Sequence, residues 1–125
     1  MIKEAYAHLQ NAHAPYSGFS VASCICSDNG NLYTGVNIEN QSYGLTICAE
    51  RSAICQMVAA GDKKISAVVI MAGNNLLCPP CGACRQVIKE FANNNTKIYL
   101  CDNEKILRSC TMDELLPLAF NLTNG

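Results

Sequence analysis

The sequence predicts an α/β fold, a three-layer α/β/α sandwich around a five-stranded mixed sheet. Three observations support this prediction. Five short segments are rich in β-branched or apolar residues, and segments with helical spacing are interleaved with them. Residues 65–72 are apolar almost throughout, which is typical of a strand covered on both faces. A hairpin turn between the first two strands makes that pair antiparallel, so the sheet is mixed.

The first elements are a helix and a β-hairpin. Residues 2–13 place apolar side chains at helical spacing, and the Pro and Gly of "APYSGF" then stop the helix. Residues 20–27 and 32–37 are rich in β-branched and small apolar residues. The "DNGN" between them has Asn29-Gly30 at its centre, which predicts a tight turn joining two antiparallel strands.

The rest of the chain alternates between helices and strands. Thr46 is suited to cap a helix that begins near Cys48, carries an apolar face and ends at Gly61. The further predicted elements are a buried strand (65–72), a second helix (82–93), two short strands (97–101 and 106–110) and a closing helical turn (112–116).

Length and composition exclude several classes of protein. A chain of 125 residues has the commonest size for one domain, so we predict a single domain over residues 1–125. The net charge is -1 and Lys63-Lys64 is the only adjacent basic pair, so we expect no nucleic-acid partner. No apolar run approaches the ~20 residues of a membrane-spanning helix, so we expect no membrane partner. The odd number of cysteines, nine, and the absence of a signal-peptide pattern predict a reduced, cytoplasmic protein.

The stretch "CPPCGACRQ" contains three cysteines in two overlapping C-x-x-C pairs. Both residues between Cys78 and Cys81 are prolines, which lack the N–H groups that normally hydrogen-bond ligand thiolates. Gly82-Ala83 leaves two donors and a permissive backbone between Cys81 and Cys84. A helix also begins here, and the positive end of its dipole favours thiolates. Cys81 and Cys84 are therefore the better metal-binding pair.

A third thiol, Cys48, lies at the start of the preceding helix. If both helix starts meet at one edge of the sheet, three thiolates converge, and zinc is the favoured ion for such a site. A structural zinc site closes with a fourth protein ligand, whereas a catalytic site leaves that position to water. Cys55 and Cys78 are the candidates for a fourth ligand, but Cys55 lies about 10 Å further along its helix. We therefore favour an open, catalytic site.

Glu50 supports the open site. Residues two apart on a helix point about 200° from each other, so Cys48 must lie at the helix edge for Glu50 to reach the same site. A carboxylate in that place can take a proton from a water molecule and pass it to a leaving group. This would explain why a thiol and a carboxylate share one helix start.

These motifs resemble those of a known family. "CAE" at residues 48–50 and "PCGAC" at residues 80–84 are similar to the zinc-dependent cytidine deaminases, and the resemblance runs from about residue 15 to residue 117. Cysteine stands where the wider deaminase signature has histidine, which resembles the small nucleoside deaminases. The resemblance implies one zinc ion per subunit and hydrolytic deamination of cytidine and 2′-deoxycytidine in pyrimidine salvage. It also implies a homotetramer with sites completed by adjacent subunits.

The resemblance further implies how a nucleoside would be held. Asn37 and Glu39 in "VNIEN" would hydrogen-bond the 3′-hydroxyl of the sugar, and Phe19 would pack against the pyrimidine. Glu50 and the backbone of Ala49 would contact the base. Without the resemblance, Asn37 and Glu39 are ordinary polar residues at the end of a strand, and Phe19 is more typical of a core.

Three more residues have roles that only the resemblance implies. Arg51 is similar to an arginine that hydrogen-bonds ligand sulfurs and offsets the excess negative charge of three thiolates on a divalent ion, and Gln86 is similar to its amide partner. Tyr43 is similar to a tyrosine that neighbouring subunits contribute to each other's sites. The alternatives are a surface salt bridge for Arg51 and a half-buried loop aromatic for Tyr43.

One segment departs from the family pattern. Residues 20–23, "SVAS", stand where the family usually has P-V-G-A and are similar to the blasticidin-S deaminases, which lack the "NIEN" segment of this chain. This departure bears on substrate range rather than on reaction type.

Two other functions remain open. A zinc-stabilised interaction domain would need a fourth sulfur ligand, and deamination of a base in transfer RNA is disfavoured by the acidic charge balance.

Overall fold

The computed structural model describes residues 1–122. The strands are β1 (Val21–Ser27), β2 (Leu32–Val36), β3 (Ile65–Ala72), β4 (Lys97–Cys101) and β5 (Ile106–Thr111). The α-helices are α1 (Ile2–Leu9), α2 (Ala49–Ala59), α3 (Gly82–Phe91) and α4 (Met112–Leu115). A short 3₁₀ helix, Tyr43–Leu45, lies between β2 and α2. Within residues 1–122, every helix is too short or too polar to span a bilayer.

The five strands form one mixed sheet in the order β2-β1-β3-β4-β5. β1 pairs antiparallel with both β2 and β3, and β4 pairs antiparallel with β5. β3 and β4 are parallel, and α3 lies in the long connection that a parallel pair requires. The predicted five-stranded mixed sheet with an antiparallel first pair is confirmed.

A helical layer covers each face of the sheet. Successive residues of a strand point to opposite faces. Ala22 and Cys24 of β1 belong to the cluster that includes Ala5 of α1, whereas Ile25 belongs to the cluster that includes Ala53 of α2. α3 adds its own apolar residues to the second cluster. The predicted three-layer α/β/α arrangement is therefore confirmed.

Helix α1 is shorter than the sequence prediction. It ends at Leu9, whereas the apolar spacing predicted a helix to residue 13. The reason is that the His13 N–H donates to the Asn37 carbonyl at 2.9 Å, in an isolated bridge with the segment that follows β2. Residues just before His13 therefore leave the helix to reach that segment.

Helix α2 begins at a different residue from the one predicted to cap it. Cys48, not Thr46, occupies the N-cap position, with an extended backbone. Ile47 forms an antiparallel bridge with Ile38, which keeps the chain extended up to the helix start. The cap prediction for Thr46 is wrong, and the thiol takes that place instead.

Both α2 and α3 begin at the same edge of the sheet. α2 connects to β3 through the short segment 60–64 and runs back along it, so its start lies beside the end of β3. The chain leaves β3 at Ala72 and enters α3 at Gly82, so α3 also begins at that edge. The connectivity thus brings the two helix starts together.

Helix α2 lies very close to β2. A Cβ atom on Gly35 would be 2.4 Å from the Ala53 backbone nitrogen and 2.6 Å from the Ala49 carbonyl oxygen, closer than non-bonded atoms approach. Because glycine has no Cβ, the first turns of α2 rest directly on the strand. Gly35 therefore sets the position of the helix start that carries Glu50.

Asp62 joins the end of α2 to the β1–β2 hairpin. Its carboxylate accepts hydrogen bonds of 2.6–3.0 Å from the side chains of Ser27, Asn29, Asn31 and Tyr33. The Tyr33 hydroxyl, followed by the other three donors, holds the pKa of Asp62 well below its usual value. The carboxylate is therefore ionised, and its hydrogen bonds are made to four side chains of the same chain.

We expect Asp62→Asn to lower the thermal denaturation midpoint at neutral pH by about 5 °C or more. The amide NH₂ group of the new side chain is itself a donor, so it cannot accept the hydrogen bonds that the carboxylate oxygen accepted. A depressed carboxyl pKa stabilises the folded state above the unfolded pKa, and this contribution is lost as the pH falls. The difference in denaturation midpoint between wild type and the variant should persist above about pH 5 and narrow below about pH 4. Thermal unfolding experiments across that pH range measure this difference. Asp28→Asn in the same hairpin is the control, and a pH-independent difference would contradict the prediction.

Candidate active site

Three thiol groups meet where α2 and α3 begin. The Sγ atoms of Cys48, Cys81 and Cys84 all lie within 4.8 Å of one another. Within residues 1–122, neither Cys55 nor Cys78, the two candidates for a fourth ligand, belongs to this group. The structure thus brings together the three thiols singled out from the sequence, and we call them the thiol cluster.

The helix caps place these thiols. Cys48 precedes the first turn of α2 and Cys81 precedes the first turn of α3, both with extended backbones. Cys48 therefore lies at the edge of its helix, as the short spacing to Glu50 required. The Cys81 Sγ accepts a hydrogen bond of 3.5 Å from the Cys84 N–H. Each helix start thus directs its thiols to one point.

Burial and hydrogen bonding shift the pKa values of two thiols of the thiol cluster in different directions. Burial raises the pKa of the Cys84 thiol, so its proton has to be displaced when a metal binds. Burial is also the largest single influence on Cys81, but the hydrogen bonds from Cys84 and Cys48 together outweigh it and lower the pKa of the Cys81 thiol. The thiol of Cys81 is therefore prepared for ionisation, whereas the thiol of Cys84 depends on a bound metal to lose its proton.

The thiol cluster suits a zinc ion. Zinc binds thiolates tetrahedrally with Zn–S distances of about 2.3 Å, which places two ligand sulfurs about 3.8 Å apart. The Cys48 and Cys81 Sγ atoms are 3.8 Å apart. Both the donor type and the spacing fit a zinc ion held by three protein ligands.

Arg51 adds positive charge beside the thiol cluster. Its Nη2 donates to the Cys48 Sγ at 3.4 Å, and this hydrogen bond raises the pKa of the guanidinium above its ordinary value. Arg51 therefore acts on a thiol rather than forming a surface salt bridge.

Gln86 is exposed, and its side chain makes no hydrogen bond within residues 1–122. The structure does not bring the Gln86 amide to the sulfurs.

A cavity of about 210 Å³, the first cavity, lies beside the thiol cluster. Its lining includes Cys48 and Cys81 together with Glu50, whose side chain is only 4 % exposed. Burial raises the pKa of the Glu50 carboxyl. Among residues 1–122, this carboxyl is not part of the group that could hold a metal. Glu50 therefore lies beside the thiol cluster and outside the group of three thiols.

Asn37 is buried in the first cavity and fixed by its own chain. Its Oδ1 accepts a hydrogen bond from the Val21 N–H at 2.9 Å, and its Nδ2 donates to the Phe19 carbonyl at 2.8 Å. The second N–H of this amide has no acceptor in residues 1–122 and can serve a ligand. Phe19 is 39 % exposed and lines the cavity, so it is not a core residue. Ala49 lines the same cavity.

Glu39 and Tyr43 line a second cavity of about 270 Å³. The two cavities adjoin, because Thr46 lines both. Tyr43 is 75 % exposed, and its ring packs edge to face against the ring of Tyr16, with 6.0 Å between the ring centroids. Tyr43 is therefore more exposed than a half-buried loop aromatic.

Three residues of this region were not predicted to belong to a site. Thr46, predicted only as a helix cap, lines both cavities. Ser17 hydrogen-bonds the Glu39 carboxylate. Gly35 sets the position of α2. Of the three, only Gly35 carried a general signal in the sequence, since a glycine inside a strand often marks a close backbone approach.

An α/β/α fold with a three-thiol site at two helix starts, and a buried carboxyl beside it, is typical of a metal-dependent hydrolytic enzyme. Comparison with known proteins gives the particular family. The model described as "Cytidine and deoxycytidylate deaminase zinc-binding region" matches residues 1–101. The chain belongs to this family, and the matched region contains all three residues of the thiol cluster. It is therefore a zinc-dependent deaminase, as the resemblance implied.

Individual relatives agree with this assignment. The chain is similar to a cytidine deaminase of Halalkalibacterium halodurans, with 42% identity over 120 residues that cover 96% of this chain and 91% of the relative. A cytidine deaminase of Mycoplasma genitalium is 40% identical over 121 residues, covering 96% and 92%. The crystal structure of cytidine deaminase from Burkholderia pseudomallei matches with a TM-score of 0.88 at 36% identity, covering 95% of both chains.

Proposed function

We propose that this protein catalyses the hydrolytic deamination of cytidine and 2′-deoxycytidine to uridine and 2′-deoxyuridine, with release of ammonia. Cys48, Cys81 and Cys84 would hold one zinc ion per subunit. The observation that carries this proposal is that one cavity is lined by two of these thiols and by the buried carboxyl of Glu50. Relatives at about 40% identity that bear the name cytidine deaminase support the choice of substrate.

The zinc ion, when bound, supplies a Lewis acid that makes water nucleophilic at neutral pH. Glu50 moves the protons. It takes one from the attacking water and gives it to the ring nitrogen N3, so that C4 becomes the electrophile. It then takes the second proton from the hydroxyl group that has been added at C4 and gives it to the amine, so that ammonia leaves as the C4 carbonyl forms. A carboxyl whose pKa is raised by burial is suited to hold a proton between these steps.

Five residues are proposed to hold the substrate. Phe19 packs on the pyrimidine, and the Ala49 backbone together with Glu50 reads its polar edge. The Asn37 amide donates to the 3′-hydroxyl oxygen of the sugar, and the Glu39 carboxylate accepts the proton of that hydroxyl. Their support is that the first four line the first cavity and Glu39 lines the adjoining one. Arg51 is proposed to tune the ligand sulfurs through its contact with Cys48, and the structure gives no such support for Gln86.

The charge of the two cavities favours a nucleoside over its monophosphate. Glu39 and Glu50 are among the lining residues, and no lysine, arginine or histidine of residues 1–122 lines either cavity. A 5′-phosphate would therefore meet carboxylates without a compensating cation. Cytidine and 2′-deoxycytidine are the expected substrates, and their 5′-monophosphates are not.

Assembly and location are part of the same proposal. A homotetramer in which Tyr43 contributes to the site of a neighbouring subunit is supported by the 75 % exposure of that ring beside the second cavity. A cytoplasmic location is supported by the thiols. All nine cysteines lie in the described part of the chain and are free, and a reducing compartment keeps ligand thiols available.

A substrate panel with metal removal tests the proposal. Purified protein is incubated with cytidine, 2′-deoxycytidine, their 5′-monophosphates, cytosine and blasticidin S, and ammonia release is measured. We expect turnover of the two nucleosides, at least about 100-fold loss after dialysis against a chelator, and recovery when zinc is added back. Turnover of the monophosphates alone, or full activity without metal, would contradict the proposal.

A further inference from the structure

Ser17 lies between two of the groups proposed to hold the nucleoside. Its Oγ donates to the Glu39 carboxylate at Oε2 and accepts a hydrogen bond of 3.0 Å from the Phe19 N–H. A serine hydroxyl has one proton. Because the Phe19 N–H approaches as a donor, the hydroxyl proton is left for Glu39. The hydroxyl therefore ties the carboxylate to the backbone of Phe19.

Two backbone groups complete a cradle around Glu39. The Tyr16 and Ser17 N–H groups donate to Oε1 at 2.9 Å and 3.1 Å. An ionised carboxylate has about four acceptor positions, two on each oxygen. Three donors from the chain occupy three of them, so one position remains, and it lies on the oxygen that Ser17 contacts. The Ser17 hydroxyl therefore determines which position is left for a ligand.

The rest of the segment is held by hydrogen bonds as well. The Glu39 N–H donates to the His13 carbonyl at 2.8 Å, and the His13 N–H donates to the Asn37 carbonyl at 2.9 Å. The Asn37 amide returns to the Phe19 carbonyl. Phe19, Ser17, Glu39, His13 and Asn37 are thus linked in a closed circuit of hydrogen bonds. The Ser17 hydroxyl also lowers the pKa of Glu39, so this group stays an acceptor.

We propose that Ser17 is a positioning residue for sugar recognition. Its hydroxyl directs the remaining acceptor position of the Glu39 carboxylate toward the 3′-hydroxyl of the substrate. The same hydroxyl keeps that carboxylate aligned with Phe19. The proposal rests on the proposed function of the site. Ser17 itself is exposed in a loop, so its hydroxyl is not needed for the core. Its removal should therefore affect only substrates that carry a 3′-hydroxyl.

Steady-state kinetics of Ser17→Ala with cytidine, 2′-deoxycytidine and 2′,3′-dideoxycytidine tests this proposal. For the first two substrates we expect KM to rise about 10-fold with kcat changed less than about 2-fold, since a hydrogen bond to a charged group is misdirected. For 2′,3′-dideoxycytidine, which lacks the 3′-hydroxyl, both constants should match wild type. Ser17→Thr keeps the hydroxyl and should restore the wild-type values.

Two further variants sharpen the test. In a Glu39→Ala background, Ser17→Ala should add no further loss, because the group it positions is gone. Ser17→Cys keeps a weaker donor and should give an intermediate rise in KM with the same substrate selectivity. An equal loss on all three substrates, or a loss in kcat alone, would overturn the role of Ser17. A wild-type protein inactive on every cytosine nucleoside would instead overturn the proposed function.

Discussion

Glu50→Gln is expected to lower kcat/KM for cytidine by about 10,000-fold while the protein keeps one zinc ion per chain. The amide has nearly the shape of the carboxyl, but it cannot exchange protons, and in the proposed mechanism one carboxyl serves several proton transfers. Because Glu50 lies outside the group that could hold a metal within residues 1–122, the metal should remain. Kinetics and metal analysis of the same preparation measure the two quantities.

The matched control is Glu90→Gln, which makes the same chemical change at an exposed position of α3 and should leave kcat/KM unchanged. The melting temperature of Glu50→Gln should equal or exceed that of wild type, because a buried carboxyl whose charged form is disfavoured is replaced by a neutral group. Loss of activity together with loss of zinc, or retention of activity, would contradict the proton-transfer role.

The metal site could be predicted from the sequence because its geometry is local and topological. The choice of Cys81 and Cys84 over Cys78 followed from the two prolines, and the position of Cys48 at the helix edge followed from its spacing to Glu50. Their convergence depends only on two helices that flank one strand and begin at its far end. These are short-range properties of the chain, which a sequence carries directly.

The arrangement of the sugar side could not be predicted in this way. The cradle around Glu39 joins residues 16–17 to a segment more than twenty positions away, through backbone N–H groups that no residue type reveals. The strand order likewise depends on packing among distant segments. The same long-range pairing ended α1 early, because the bond from His13 to Asn37 overrode a helical spacing that was locally correct. Contacts of this kind become visible only in the folded chain.

Gly35→Ala is expected to lower the free energy of unfolding by about 3 kcal/mol and kcat/KM by about 100-fold. The added Cβ would be 2.4 Å from the Ala53 nitrogen and 2.6 Å from the Ala49 carbonyl oxygen, and these are backbone atoms that cannot rotate away. α2 would have to move about 1 Å to restore van der Waals contact. That shift would carry Cys48 and Glu50 away from the thiols of α3. Chemical denaturation, zinc affinity and kinetics measure the three consequences.

Gly73→Ala is the matched control for this substitution. Its Cβ would meet the Ser20 Cβ at 3.4 Å, an ordinary contact, so stability and activity should stay near wild type. The steric origin of the effect also predicts that Gly35→Ser is at least as damaging as Gly35→Ala, since both add a Cβ at the same point. If Gly35→Ala were as stable and active as Gly73→Ala, direct contact of α2 with β2 would not be what positions Glu50.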